Sequence, residues 1–444
     1  MNSRVQAAWW RPPLPQRGET AGSAQAAALP FWALMAFTIV LLLSPQAFVP
    51  ALAPLHLAFL SAALAGGVYV AGCLLRHQPV LRLTPEMVLA LALAAWSLMT
   101  MPLSYWPGGS LSFFFEIYFK ALVVYWLLAN VVDSVSRLKT VAWILSLIAV
   151  PISLAAVKAF FSGGFQNEAL SHGLDRIHGY GTSLTGNPND LALMLNMILP
   201  LSVALLLLTR RPALRWLLGA VICLDCIAIM ATFSRGGFLT LGVIGAAYLW
   251  ILFKRRQRVL AMAAVTAVLL CVPLLPSAYL DRLGTITNIE ADETGSAQTR
   301  LNDSLVAAEF VVDHPLMGAG IGMNILALNE ARGSTWTEVH NVYLEYAADL
   351  GLPGLIMFLL LLRAVVKGVG EARRASAADP DGFEVHCLAE GLGVSLLGFI
   401  VAAFFYPDAY QFYFYYIAGL AVAARSIAVA RIPRAPAQAE SAAA

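Results

Sequence analysis

Apolar runs of about 20 residues recur along this chain, each followed by a short polar segment. At about 1.5 Å per residue, a helix of that length crosses the roughly 30 Å hydrocarbon core of a bilayer. With 59% hydrophobic and 12% charged residues, a chain of 444 residues cannot bury its apolar side chains in one water-soluble core. The sequence therefore predicts an all-α polytopic membrane protein.

These runs predict about 12 transmembrane helices and one larger loop domain. The predicted spans are residues 30–49, 52–75, 85–103, 111–132, 138–161, 188–208, 213–232, 236–253, 258–276, 341–362, 386–406 and 410–430. Spans 1–9 thus lie in residues 29–276, spans 10–12 lie in 341–430, and 277–340 between them is long enough for a helical loop domain. Residues 1–28 and 431–444 are predicted tails, and residues 1–28 and 435–444 lack apolar periodicity, which indicates disorder.

Lys and Arg residues are distributed unevenly between the two sides of the predicted bundle. Short cytoplasmic loops retain basic residues, and an inside N-terminus places most of the 28 Lys and Arg on the inner side. Five then fall outside: Arg176, Arg235, Arg282, Arg300 and Arg332. Both tails are therefore predicted to be cytoplasmic and 277–340 extracytoplasmic. A net charge of only +2, separated by side, gives no support for a nucleic-acid partner.

Three spans begin on the outer side with polar motifs: Asn187-Pro188, Ser234-Arg235-Gly236-Gly237 and His340-Asn341. Free N–H groups and the positive end of the helix dipole make such ends typical phosphate sites, especially beside an arginine. We expect the glycines after Arg235 to let a ligand or neighbouring backbone approach. Asn187 and Asn341 are candidate ligand contacts, with simple helix capping as the alternative. Contact with lipid head groups is the alternative for Arg235.

Residues 299–313 carry apolar side chains at helical spacing, namely Leu301, Leu305, Ala308 and Val312. This pattern predicts an amphipathic helix lying across a membrane-facing roof, followed by a tight glycine-rich return. Arg300 at its start can bind two phosphate oxygens at once. Its alternative is a surface charge paired with Asp303 or Glu293, and Arg282 is a weaker candidate for the same role.

His340 is the candidate general base, because its proton can move near neutral pH. A helix N-terminus and nearby cations favour the neutral imidazole, which can accept a proton. Asp408, in the turn between the last two predicted spans, could orient the ring, and a purely capping histidine is the alternative. Lys120, four residues after Glu116 in the fourth span, is either half of an ion pair or a further functional charge.

Metal ligation is not expected on the outer side, where no acidic pair has metal-ligand spacing. Asp379-Pro380-Asp381 resembles a metal-holding pair, but the topology places it on the inner side, where it is predicted to form a turn. We expect no cofactor.

The ordered motifs resemble the O-antigen ligase family of bacterial inner-membrane glycosyltransferases. They are Ser234-Arg235-Gly236-Gly237, Arg300, the run from Phe310 to Gly320, His340-Asn341 and Gly351-Leu352-Pro353-Gly354. The resemblance covers residues 180–365 by motif. It implies a GT-C-like fold and a metal-independent, inverting transfer in the periplasm, as a step of lipopolysaccharide biosynthesis. O-antigen polysaccharide would pass from undecaprenyl pyrophosphate to a sugar hydroxyl of lipid A-core, with His340 as base and Arg235 and Arg300 on the pyrophosphate.

Three other functions remain open. O-antigen polymerases often carry an arginine followed by glycine eleven positions later, whereas Arg176 is followed there by Asn187 and Arg300 by Val311, which favours a ligase. A protein-directed oligosaccharide transferase would differ only in its acceptor. A transporter of lipid-linked sugars typically has inverted repeats and polar groups at the midplane, but the polar motifs here lie at one interface.

Overall fold

A computed structural model describes residues 21–162, 185–255, 295–332 and 336–431, together with Ile177, Met262 and Gly284. Helices dominate these ranges. The longer ones are α1 (Ala21–Leu43), α2 (Leu57–Leu75), α3 (Pro85–Thr100), α4 (Pro107–Val131), α5 (Val135–Phe161), α6 (Pro188–Leu208), α7 (Pro212–Ala231), α8 (Arg235–Lys254), α9 (Ser296–Asp313), α10 (Asn324–Arg332), α11 (Val342–Ala377), α12 (Phe383–Ala402) and α13 (Phe412–Ala430). Short helical turns at Pro45–Phe48 and Pro50–Leu55 connect α1 to α2, and another at Met101–Leu103 follows α3.

Ten helices in the described part of the chain are long and apolar enough to cross a membrane. They are α2 to α8 and α11 to α13. The all-α polytopic fold is therefore confirmed. The predicted span over 258–276 lies outside the described residues, apart from Met262.

The first predicted span, 30–49, is wrong at its C-terminal end. Ser44 has a left-handed φ of 41°, and Pro45 has no N–H to continue the helical ladder, so α1 ends at Leu43. Its apolar part, Ala28–Leu43, is shorter than a full span. At its other end α1 begins at Ala21, so residues 21–28 of the predicted disordered tail are helical. The predictions for residues 1–20 and 432–444 lie outside the described residues.

The most enclosed helices are α6, α12 and α13, which lie at the centre of the bundle, whereas α2 and α8 lie nearer its edge. Between 72% and 89% of the apolar window of each central helix is buried. The turn that connects α12 to α13, residues 403–411, is consequently anchored on both sides by the most tightly packed part of the molecule.

The tenth predicted span, 341–362, corresponds to α11, which is longer and kinked. Gly351 has φ 68° and ψ −177°, a backbone conformation that is essentially restricted to glycine. Pro353 follows in the first turn of the second segment, where its missing N–H costs little. Helical structure then continues to Ala377, well beyond the predicted end.

The glycine-rich return, residues 315–322, packs into the kink of α11. The Gly320 N–H donates to the Asp349 carbonyl at 2.8 Å, one of the carbonyls near the interruption of the helix. The Asp349 carboxylate accepts from the Gly322 N–H at 2.9 Å and from the Asn324 N–H at 2.8 Å, which fixes the start of α10. Gly320 and Gly322 have φ of 95° and 71°, so the predicted tight return is confirmed.

The amphipathic helix predicted at 299–313 forms as α9, but its packed face is not the predicted apolar one. Ala307 and Val311 are buried against the protein, whereas Leu305 and Val312 are 61% and 77% exposed. The apolar stripe therefore faces away from the rest of the chain, and its contact with a membrane surface stays a prediction.

Candidate functional site

Helices α11 and α8 both begin against the 403–411 turn. The Val342 N–H at the start of α11 donates to the Ala403 carbonyl at 2.8 Å. At the start of α8, a Cβ on Gly236 would lie 2.8 Å from Cβ of Phe405, closer than real side chains pack. Two of the three predicted polar helix ends thus meet at one turn.

The third helix end, that of α6, reaches the same place. Asn187 caps α6 as predicted, its Oδ1 accepting from the Asn189 N–H at 2.8 Å, with Pro188 at the first helical position. In the first turn of α6, the Asp190 carboxylate is close enough to raise the pKa of Asp408 in the 403–411 turn. The Asn187 side chain is exposed, and its role as a ligand contact stays a prediction.

Ser234 connects the start of α8 to the turn through its hydroxyl. Its Oγ accepts from the Gly237 N–H at 3.2 Å and lies 3.3 Å from the Tyr406 hydroxyl. Arg235 follows as the first residue of α8 and is half-buried. Arg235 therefore lies at the end of α8 that contacts the 403–411 turn.

The glycines after Arg235 have a packing role instead of opening a path for a ligand. A Cβ on Gly237 would lie 2.6 Å from Cβ of Ala192 on α6, and Gly236 lies against Phe405. What approaches closely at both positions is a neighbouring side chain. The sequence correctly indicated a close approach but not its partner.

The His340 imidazole is held in one tautomer by the backbone. Its Nδ1 lies 3.0 Å from the Glu338 carbonyl oxygen, which can only accept, so Nδ1 carries the proton. Nε2 then keeps the lone pair that a general base needs. Capping of α11 is performed by Asn341, whose Oδ1 accepts from Tyr343 N–H at 3.0 Å, and leaves the histidine ring free of that role.

The pKa of His340 is lowered from 6.5 to about 4, first by burial and next by the positive charge of Arg300. This direction agrees with the predicted neutral imidazole, although burial is the larger cause. Burial raises the pKa of Tyr406, which Arg300 partly offsets. Arg300 therefore lies within electrostatic range of both His340 and Tyr406.

A buried ion pair fixes the segment that carries His340. Arg332 donates through Nη1 to Asp303 Oδ1 at 2.7 Å and through Nη2 to the Thr337 carbonyl at 2.7 Å. The two charged side chains are 2% and 4% exposed. This ion pair, called the Arg332–Asp303 clamp below, ties α9 and the end of α10 to the segment 336–341.

Asp303 consequently has a different partner from the one proposed as an alternative for Arg300. It lies on the packed face of α9, directed at Arg332, whereas Arg300 is half-buried near His340. Asp303 is thus paired with Arg332, while Glu293, the other partner considered for Arg300, lies outside the described residues.

Asp408 does not orient the imidazole, so that prediction is wrong. The structure records no hydrogen bond between Asp408 and His340, and the Glu338 carbonyl already occupies Nδ1. Asp408 is buried, its Oδ2 has no hydrogen-bond partner in the described part of the chain, and burial with the Asp190 charge raises its pKa well above the usual range.

Lys120 and Glu116 form no ion pair, and both side chains are exposed on α4. Residues 114–118 make a π-helical turn, which shifts the angular spacing so that positions four apart no longer face each other. Nothing links Lys120 to the other site residues. Arg282 and Arg176 lie outside the described residues.

Several residues at this end of the bundle escaped sequence reasoning. Tyr406 is one of them, although Asp408 in the same 403–411 turn was a candidate from the sequence. The Arg332–Asp303 contact joins residues 29 apart, for which no periodicity exists in the sequence. Within the described ranges, no group of His, Cys, Asp and Glu is arranged to hold a metal ion.

Residues 218–359 match the family model described as O-antigen ligase. The match covers about a third of the chain and supports membership of the O-antigen ligase family. The matched region runs from α7 past the kink of α11 and contains Arg235, Arg300 and His340. The match supports the O-antigen ligase/polymerase superfamily and is typical of a glycosyltransferase-like enzyme. A search of curated proteins finds no match.

Proposed function

We propose that this protein is an O-antigen ligase, which transfers O-antigen polysaccharide from undecaprenyl pyrophosphate to a sugar hydroxyl of lipid A-core at the periplasmic face of the bacterial inner membrane. The observation that carries the proposal is the pairing of His340 with Arg300. Nε2 of the neutral imidazole keeps its lone pair, and the positive charge of Arg300 lowers the pKa of that imidazole, which supports one site for a proton acceptor and an anion-stabilising group.

The reaction follows from these two groups. The acceptor hydroxyl oxygen attacks the anomeric carbon, the bond from that carbon to the pyrophosphate oxygen breaks, and undecaprenyl pyrophosphate leaves with the electron pair. The hydroxyl proton passes to Nε2 of His340. Attack from the face opposite the leaving group inverts the anomeric configuration.

Arginines would stabilise the negative charge that grows on the departing pyrophosphate. Arg300 beside His340, and Arg235 at the N-terminus of α8, offer fixed donors of the kind that lower a transition state by about 3–4 kcal/mol each. Guanidinium groups bind phosphate oxygens in pairs, a task that other glycosyltransferases assign to a metal ion. We therefore propose metal-independent catalysis.

The test is a purified reaction containing EDTA, with undecaprenyl-pyrophosphate polysaccharide as donor. Two acceptors are compared: lipid A-core and a second polyprenyl-linked chain. A product on lipid A-core alone supports the ligase, whereas elongation of the polyprenyl-linked chain makes the protein a polymerase. A strict requirement for a divalent cation would overturn the metal-free scheme. Donor movement across proteoliposomes without a new glycosidic bond would identify a transporter.

A further inference from the structure

A second ligand-sized feature lies at the opposite end of α8 from Ser234. It is a groove of about 510 Å³ between α8, α11 and α12. The residues of α8 that line the groove begin at Ala247, so the groove lies about 20–30 Å along the helix from Ser234. It is therefore separate from the His340 site, and the sequence places this end on the cytoplasmic side.

The walls of the groove are apolar. Trp250 of α8, Val366 of α11, and Val394 and Leu397 of α12 line it. Trp250 and Leu397 are 61% and 38% exposed, although both belong to helices that are apolar enough to span a membrane. A hydrocarbon chain would cover these surfaces, whereas a small soluble anion would leave them uncovered.

The groove ends in an unbalanced cluster of charges. The Glu390 carboxylate is 4% exposed and accepts from Arg255 Nη2 at 2.8 and 3.0 Å and from Arg373 Nη2 at 3.3 Å. Lys254 adds a third cation, with Nζ 5.1 Å from the Trp250 ring centroid. Two arginines thus contact one carboxylate, and a lysine on the groove wall adds a further positive charge.

Each arginine of the cluster keeps donors for another anion. Among the described residues, only Nη2 of Arg255 and only Nη2 of Arg373 engage Glu390. Glu390 fixes both guanidinium groups in place without neutralising Lys254. The cluster keeps a net positive charge, which an anionic acceptor would reduce.

We propose that this groove binds one anionic phospholipid. The phosphate lies against Lys254, Arg255 and Arg373, and an acyl chain runs along the apolar walls between α8, α11 and α12. The groove joins charge complementarity at one end to apolar walls along its length, which matches a phospholipid of the surrounding leaflet. Helix α8 begins with Arg235, and α11 begins two residues after His340. The bound lipid therefore contacts the far ends of two helices that form the candidate site.

The experiment is lipid titration followed by native mass spectrometry of the full chain in a mild detergent. Phosphatidylglycerol is the anionic probe, phosphatidylethanolamine the zwitterionic comparison, and inorganic phosphate the competitor. We expect one phosphatidylglycerol to bind at least tenfold more tightly than phosphatidylethanolamine, with little displacement by phosphate.

Two variants locate the binding. Lys254→Gln leaves both Glu390 contacts intact, and adding Arg373→Gln removes a second cation. We expect stepwise loss of affinity, tenfold or more in the double variant. Arg374→Gln, an exposed neighbour on α11 that does not line the groove, is the matched control and should bind as the wild type does.

Equal binding of both lipids, complete competition by inorganic phosphate, or an unchanged affinity of Lys254→Gln would overturn the proposal. Tm of each variant shows whether it remains folded, and a variant with wild-type Tm that still binds phosphatidylglycerol tightly counts against the site. The measurement does not involve glycosyl transfer, so its outcome is independent of the proposed enzymatic function.

Discussion

Three features of its surroundings prepare His340 for proton transfer. The Glu338 carbonyl holds the proton on Nδ1, burial disfavours the imidazolium, and the Arg300 guanidinium disfavours it further. A base with a pKa of about 4 is too weak to deprotonate a free sugar hydroxyl to a useful extent. It becomes effective when the oxygen bonds to the anomeric carbon and its proton becomes acidic.

Activity should therefore persist into mildly acidic solution. Protonated His340 cannot act as a base, so kcat/KM should fall only as the pH drops towards about 4, instead of near 6.5. Arg300→Gln removes a positive charge that lowers the pKa of His340, and its acidic limb should move to higher pH. The same variant should lose about 10²–10³-fold in kcat from the missing donor.

The pH–rate profiles of the wild type and of Arg300→Gln test this shift of the acidic limb. Arg374→Gln, which removes an exposed charge from the other end of α11, should leave the limb unchanged. A limb in Arg300→Gln at the same pH as in the wild type, or at lower pH, would show that the arginine does not act on the histidine.

At the scale of elements, the site depends on segments that order one another. The 336–341 segment is irregular and owes its position to the Arg332–Asp303 clamp. The loop 315–322, in turn, owes its position to the kink of α11. Helix α10 connects the two, because Asp349 fixes its start and Arg332 at its end forms the clamp.

Asp303→Asn should both destabilise the protein and slow transfer. It leaves the Arg332 guanidinium buried without its carboxylate, which typically costs about 3–5 kcal/mol. Since the clamp positions His340 without touching the donor, kcat should fall much more than KM rises. Tm and the kcat and KM values measure the two effects.

The matched control is Asp133→Asn, which breaks the half-exposed Asp133–Arg137 pair. Exposed pairs contribute less than about 1 kcal/mol, so this variant should keep its Tm and activity. Asp303→Asn with unchanged kcat would mean that the clamp does not position the histidine.

Gly351→Ala tests the kink. A Cβ there would lie 2.5 Å from the Leu316 carbonyl carbon, and the φ of 68° is unfavourable for alanine. We expect a lower Tm by several degrees and reduced activity, because α11 carries the site at its start. Gly370→Ala in the same helix, where a Cβ would meet only Arg374 Nη1 at 3.8 Å, should be neutral. Equal Tm values for the two variants would contradict the role of the kink.

Many of the elements could be predicted from the sequence, because the periodicity that indicates a helix is a local property. The cap at Asn187, the positions of most helices and the glycine-rich return all followed from neighbouring residues. The packed face of α9 did not, because its apolar stripe faces outward while Asp303 is directed at a partner 29 residues away. The failed Glu116–Lys120 pair shows a second limit: a π turn changes helical spacing without a sequence signal.

Across the whole molecule, the polar helix ends and the charged groove occupy opposite ends of α8. The positive-inside distribution predicts that the first end faces the periplasm and the second the cytoplasm. The hub of the site, the 403–411 turn, could not be predicted, because it depends on how α6, α8 and α11 meet. Asp408 was therefore assigned to the wrong partner.

Sidedness can be measured by cysteine labelling in a variant with its five native cysteines replaced. Trp336→Cys and Arg374→Cys introduce thiols at exposed positions towards the two ends. A membrane-impermeant maleimide should label position 336 in intact spheroplasts. It should label position 374 only after the spheroplasts are lysed. The reverse pattern would contradict the predicted orientation.

The measurement that most directly tests the catalytic role of His340 is the rate of polysaccharide transfer by His340→Gln. Its control is His386→Gln, which alters another histidine whose Nδ1 also contacts a backbone carbonyl. With undecaprenyl-pyrophosphate polysaccharide and lipid A-core, loss of the general base should lower kcat by about 10²–10⁴-fold while donor binding and Tm are retained. A folded His340→Gln protein that transfers polysaccharide at the wild-type rate would contradict it.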